Sequence, residues 1–496
     1  MSANHFPVLQ VVLPLLAAPL CVLLKNARLS WWLALLVTWG AFGIALTLLS
    51  TILTEGPIVY AIGGWAAPWG IEYRMDVLSG FMLVLVSGAG AVTIAYARHS
   101  VEHEVEKHRV YLFYTAYLLF LTGLLGVLAT GDAFNLFVFV EISSLSSYAL
   151  ISFASDRRAL LAAYQYLIMG TIGATFILIA IGLLYALTGT LNMADLAQRL
   201  PRAEQPRTLF TALAFLLVGT SLKLALFPLH AWLPNAYTYA PSVVSALMAA
   251  TGTKVFIYVL MRFSLTVFGY EWTFETIKMQ WVLIPLGLTG ALIASATAIF
   301  QSNVKRLLAY SSVAQIATIV LGFSLGSVMG LTAGLVHVFN HALIKAALFL
   351  AVGCVALRTG SVMIGDIDGL ARRMPLTMAA FVVCALSLVG IPLTAGFISK
   401  WYLVAAALEQ DRWLVAAIVL SSSLLAMVYL WRVIEAAYLR APPVAERPIQ
   451  GGPEAPWSML LPLGLLVSAN LYFGVDTRWS ASIARSAAQA LLGQGP

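Results

Sequence analysis

Charge is what this sequence has least of. Only 10% of its 496 residues are Asp, Glu, Lys or Arg, against 61% hydrophobic, and the mean hydropathy is +0.91. Soluble domains average about 25% charged residues. A soluble surface of this size is therefore excluded, and lipid must be the solvent for most of the chain. Each apolar stretch of about 20 residues then crosses the hydrocarbon core as a helix, because its backbone finds no water there. Cysteine is scarce too. Cys21, Cys354 and Cys384 lie in apolar stretches without metal-ligand spacing, which reads as buried packing thiols. Walker, CxxC, haem, iron–sulfur, GxSxG and HExxH patterns are all missing, so no cofactor and no means of using ATP or moving electrons is legible. SGAGAV at 87–92 is a poor dinucleotide fingerprint inside an apolar helix. No basic run suits nucleic acid.

What is present is a succession of apolar spans. About fourteen are expected, at roughly 7–24, 31–53, 75–97, 110–129, 132–153, 159–187, 208–230, 241–263, 280–300, 304–324, 329–357, 375–400, 413–434 and 457–475. The first has no basic region before it and reads as a retained helix. The linkers, the longest near 188–207, 357–374 and 435–456, are too short for a soluble domain. With the N-terminus outside, the inner loops, from Lys25 and Arg28 through Lys305 to Arg440 and Arg447, carry about fifteen lysines and arginines against about nine outside, Arg262 among them. That bias predicts both termini on the outer side. The basic outer loop around Arg199 to Arg207 opposes it.

Four lysines are left over. Lys223, Lys254, Lys345 and Lys400 sit within or at the edge of apolar spans, where a charge costs about 2.5–3.5 kcal/mol on the mildest scale. Snorkelling to a helix end is the bland alternative for Lys254 and Lys400. It fits Lys223 poorly, because Leu222, Leu224, Ala225, Leu226 and Phe227 surround it. Glu141, in GDAFNLFVFVEISSLSSYALIS, falls roughly 13 Å past Asp132, near the midplane. Asp132 itself reads as a helix cap. A buried carboxylate needs a partner on another helix, and Lys223 is the obvious candidate. Moving such a pair together or apart would hold or release a proton. Lysine suits this work, whereas arginine stays charged.

HVFNHALIKA puts His337, His341 and Lys345 on one helical face, able to pass protons along it. The alternatives are two satisfied core histidines, or a zinc site that lacks its third ligand. Pro228 and Pro234 follow Lys223, and Pro392 precedes Lys400, so both spans are expected to break. Broken helices at membrane depth line wet cavities. Two of them, five spans apart and each with a lysine, are the mark of an inverted repeat. The units would be 110–263 and 280–434, after a three-span segment at 1–109 and before a last helix and tail at 457–496. Gly322, Gly326, Gly330 and Gly334 recur every fourth residue and read as a close helix contact.

These residues resemble the antiporter-like membrane subunits of Mrp-type cation/proton antiporters, respiratory complex I and membrane-bound hydrogenases. The resemblance covers about residues 70–440. It rests on the Glu141 segment, LKLALFPLHAWLPNAY, ATGTKVFIYVLMR, SNVKRLLAYSSVAQ, HVFNHALIKAALF and GIPLTAGFISK. It implies fourteen helices with two inverted five-helix repeats, and a proton row of Glu141 with Lys223, then Lys254, His337, His341 and Lys345, ending at Lys400. The Glu141 segment and the short C-terminal end look most like the D-type subunit of Mrp antiporters. That implies partners of the Mrp A, B, C, E, F and G type in a bacterial inner membrane, exchanging sodium or another monovalent cation for protons. A redox-driven subunit of complex I or hydrogenase type, the membrane half of an inorganic-carbon uptake system, and a passive scaffold are the alternatives.

Overall fold

The computed structural model describes residues 5–441, 452 and 454–494; Arg447 lies outside the described residues. Within them, 13 helices are long and apolar enough to cross a membrane. Spans 1 to 6 are Phe6–Leu24, Ala27–Glu55, Val77–Glu104, Val110–Ala129, Ala133–Ser152 and Arg157–Thr188. Span 7 is Pro206–Leu224, continued after a break by Trp232–Tyr239, and span 8 is Ser242–Ala250 with Gly252–Met261. Spans 9 to 11 are Gln280–Ile299, Val304–Ser324 and Val328–Thr359. Two short helices, Pro375–Val389 and Ala395–Glu409, together make span 12; Trp413–Leu439 and Trp457–Val475 are spans 13 and 14. The chain is thus a helical, multi-pass membrane protein; one small antiparallel hairpin, Ile58–Ala61 with Glu72–Met75, lies between spans 2 and 3.

Spans 4–8 and 9–13 repeat one order. Span 4 packs on 5 as span 9 packs on 10, and the first half of span 7 packs on span 6 as the second half of span 12 packs on span 11. Five crossings are an odd number, so the second unit starts from the face where the first one ended, and the repeat is inverted. The loops after odd-numbered spans form the basic face.

Short polar residues start the helices by accepting backbone N–H groups that have no partner in the first turn. Asp132 accepts from Asn135 N at 2.7 Å, as expected of a cap, and Asp76 and Asn303 do the same for spans 3 and 10. Spans 8 and 10 are the innermost, each with 94% of its central window buried, while spans 1, 2 and 14 are 33–39% buried. Gly322 faces Gly334 and the Gly330 carbonyl across the contact of spans 10 and 11, so the glycine stripe brings these backbones together.

Three local features depart from the expectation. Span 8 breaks at Thr251, where only Gly252 hinted at it. Span 12 runs on to Glu409, beyond the expected end at 400, because the helix restarts after its break. The tail after span 14 holds a helix, Arg478–Leu491, lying on spans 3 and 11. Ile483, Ala484, Ala487, Ala488 and Leu491 form its buried face, at helical spacing but of small residues that a hydropathy scan passes over.

Span 3 is tied to span 8 at both ends. Arg262, at the far end of span 8, grips Asp76 with two bonds of 2.7 Å from its two terminal nitrogens. Arg262 was expected in an outer loop, yet it is buried, and the forked ion pair explains how. Burial pushes the Asp76 carboxyl up, but the Arg262 charge and the bonds from Arg262 and Ser79 outweigh it and bring the value from 3.8 down to about 2. A lowered carboxyl value stabilises the fold above the ordinary value and loses that contribution as pH falls toward about 2. Arg262→Met leaves a half-buried carboxylate without its ion pair and is expected to cost about 1–3 kcal/mol. Thermal unfolding measured between pH 7 and 3 should show the wild type losing stability in the acid range, and the variant starting lower with a flatter profile.

Candidate proton row

Lys223 is the last residue but one of the first half of span 7, and Ala225 ends that helix in the left-handed region at φ 60°. Pro228 lies in the break that follows. Pro234 is not in the break but in the first turn of Trp232–Tyr239, where proline removes no intrahelical bond. The Lys223 ammonium is 1% exposed and donates to Ser144 Oγ at 2.6 Å, with the Phe256 ring 5.8 Å away.

The expected contact with Glu141 is not made. The two are within electrostatic reach, but no ion pair joins them. Ser144, one turn beyond Glu141 on span 5, offers the ammonium a neutral oxygen instead. Glu141 is half-buried on the stripe of span 5 that carries the exposed Phe134, Val138 and Leu145, and its buried Oε1 has no hydrogen-bond partner.

Lys254 is fully buried just past the break in span 8 and donates to the Ala249 carbonyl beside that break, with Thr253 Oγ1 at 3.4 Å. A cavity of about 10 Å³, the room of one water molecule, lies between Lys223 and Thr253. Lys345 is equally buried and donates to Leu308 O at 2.9 Å and to Ser311 Oγ, both on span 10. Lys400 donates to Leu388 O at 2.7 Å, Val389 O at 3.0 Å and Ser423 Oγ at 2.8 Å. Those carbonyls end the first half of span 12, where a positive charge is favoured. Lys254 and Lys400 therefore do not snorkel: each ammonium is held by backbone oxygens at a helix break. Pro392 and Gly390, at φ 95°, lie in the break that Lys400 spans.

The two histidines differ. His337 bonds Ser399 Oγ at 2.8 Å and Gln315 Oε1 at 3.0 Å, tying span 11 to the residue before Lys400. The His341 ring stacks on it at 6.0 Å, and neither of its nitrogens has a partner. The satisfied-core reading thus holds for His337 and fails for His341. His341 lies within electrostatic reach of Lys254, Lys345 and Lys400. The structure gathers Lys254, His337, Lys345 and Lys400 within electrostatic reach of His341, and the small cavity lies between Lys223 and Thr253, the neighbour of Lys254.

Sequence reasoning missed the oxygens. Each of the four lysines has a serine or threonine hydroxyl or a freed carbonyl as its partner, and none has a carboxylate in contact. The serine doublets in EISSLSS and AYSS were visible as polar residues inside spans. Lys305, assigned to a loop, and Glu104, passed over, form a further pair at 3.8 Å, with the lysine buried and the carboxylate half-buried.

The transmembrane family described as "NADH:quinone oxidoreductase/Mrp antiporter, TM" matches residues 130–426. A protein of Desulforudis audaxviator, named as the N-type subunit of NADH-quinone oxidoreductase, is 45% identical over 475 residues, covering 93% of this chain and 94% of that one. The D-type subunit of the Na(+)/H(+) antiporter of Alkalihalophilus pseudofirmus is 30% identical, covering 88% and 87%. Among solved structures, a chain of the Mrp complex from Dietzia sp. DQ12-45-1b matches with a TM-score of 0.89 at 26% identity, over 99% of this chain and 98% of that one. With the broken helices and the buried row in the same stretch as the family match, this chain belongs to the NADH:quinone oxidoreductase/Mrp antiporter transmembrane family.

Proposed function

We propose that this chain conducts protons along Lys223, Lys254, His341, Lys345 and Lys400, with Glu141 and His337 setting the charge around them, as one subunit of a complex that exchanges a monovalent cation, sodium first, for protons. The carrying observation is four buried lysines held by neutral oxygens. An ammonium without a carboxylate in contact gives up its proton more readily than one locked in an ion pair. The segment 110–263 contributes two broken helices with their lysines, spans 7 and 8, and 280–434 contributes one, span 12, with 1–109 and 457–496 as their frame. The basic face is read as cytoplasmic, with both termini outside, in a bacterial inner membrane. Partners of the Mrp A, B, C, E, F and G type would carry the cation path.

A second reading, a redox-driven proton pump subunit, is favoured by the 45% identity to the N-type oxidoreductase relative. The decisive experiment is purification of the native complex, identification of its subunits, and measurement of proton movement in reconstituted vesicles. Sodium-dependent proton movement without quinone reductase activity is the expected result. Quinone- or hydrogenase-type subunits with redox-driven pumping would transfer the same row to the second reading. A complex that moves no protons under either drive would discard both.

A further inference from the structure

Lys305 stands apart from the row, on the first turn of span 10, and is 5% exposed. The N-terminus of a helix disfavours a cation, so its presence there needs compensation. It donates to Ala240 O at 3.1 Å and has Glu104 Oε2 at 3.8 Å. That separation is longer than the roughly 2.7–2.9 Å of a charge-assisted hydrogen bond. Glu104 ends span 3. It accepts from Ser100 Oγ at 2.7 Å, and from Ser242 N at 2.8 Å and Ser242 Oγ at 3.1 Å, where span 8 begins.

The pair lines a cavity of about 290 Å³ on the basic face, along with Ser155, Asp156 and Arg158. Ser155 and Arg158 are exposed, so water reaches the cavity. From Lys305 inward, one face of span 10 carries Leu308, Ser311 and Gln315 at steps of three to four residues. Leu308 O and Ser311 Oγ hold Lys345, and Gln315 holds His337. Span 10 therefore carries Lys305 at an open cavity and, one and two turns further in, the two oxygens that hold Lys345.

We propose that Glu104 and Lys305 are the proton-exchange pair of the row on the basic face, connected to Lys345 along span 10. The Lys305 ammonium gives its proton toward the Lys345 amine and becomes an amine itself. Glu104 takes a proton from cavity water as a carboxyl O–H and passes it to the Lys305 amine, which restores the ion pair. No co-reactant is needed, and the reverse sequence releases a proton to the same cavity. The assignment rests on the row conducting protons, so its test must separate the two.

The variants are Glu104→Gln and Lys305→Arg, in the whole complex reconstituted in vesicles, with Lys254→Ala as the reference. Gln keeps an acceptor for Ser242, and Arg keeps the charge but does not release its proton. A packing role would therefore leave both variants near the wild-type rate. The expected result is a loss of at least about tenfold in proton movement for each, with partner subunits still co-purifying. Glu104→Gln and Lys305→Arg moving protons at the wild-type rate while Lys254→Ala does not would overturn the pair and leave the row standing. Lys254→Ala moving protons normally would overturn the row and the pair with it.

Discussion

Lys223→Ala and Lys223→Arg are both expected to abolish proton movement in reconstituted vesicles, with rates reduced by about a hundredfold or more while the complex still assembles. The two substitutions fail for different reasons. Alanine removes the titrating group and leaves Ser144 Oγ without its donor. Arginine keeps the charge near Glu141 but stays protonated, so a carrier becomes a fixed cation. An arginine variant that transports normally would show that Lys223 acts through its charge alone. Glu141→Gln should be milder than either, because Glu141 is not bonded to Lys223 and influences it across a gap. The measurement is the initial rate of internal pH change on imposing a cation gradient, for each variant at equal protein content.

Gly396→Ala is expected to have the second-largest effect, and by a route that involves no titratable group. A Cβ at position 396 would overlap the Ser387 carbonyl oxygen, which is backbone and cannot swing aside. The Gly396 N–H is also bonded to Ser387 Oγ at 3.1 Å, so the two halves of span 12 meet at this point. Forcing them apart costs about 1–3 kcal/mol by overpacking. It also pulls Lys400, one turn on, away from the Leu388 and Val389 carbonyls. The complex should unfold at a lower temperature and move protons at least about tenfold more slowly. Gly464, where a Cβ meets nothing within 4 Å, serves as the control and should tolerate alanine.

The spans were legible because lipid leaves an unambiguous signature: the expected 304–324 coincides with Val304–Ser324, and 110–129 with Val110–Ala129. The breaks at Pro228 and Pro392 were legible for the same kind of reason, since proline and glycine act locally. What depended on side chains from distant helices was not. Nothing in the letters around Glu141 says that its stripe of span 5 turns partly outward, or that Ser144 takes the Lys223 ammonium. Lys305 and Arg262 read as loop cations because each lies near the end of an apolar stretch. Their burial is decided by Glu104 and Asp76, which are far away in the chain and contributed by a helix outside both repeats. The buried lysines and histidines could be listed from the sequence, but the neutral oxygens that hold each lysine could not.

Span 3 bears an acid just before its first residue and another as its last, and both reach span 8. In mechanical terms, span 8 is a beam pinned at its two supports. Such a beam cannot slide along its axis, and it yields where its bonding is already interrupted, at Thr251. Lys254 is three residues from that point. Small lateral deflections there would carry the ammonium toward or away from the Lys223 side with both faces of the protein held still.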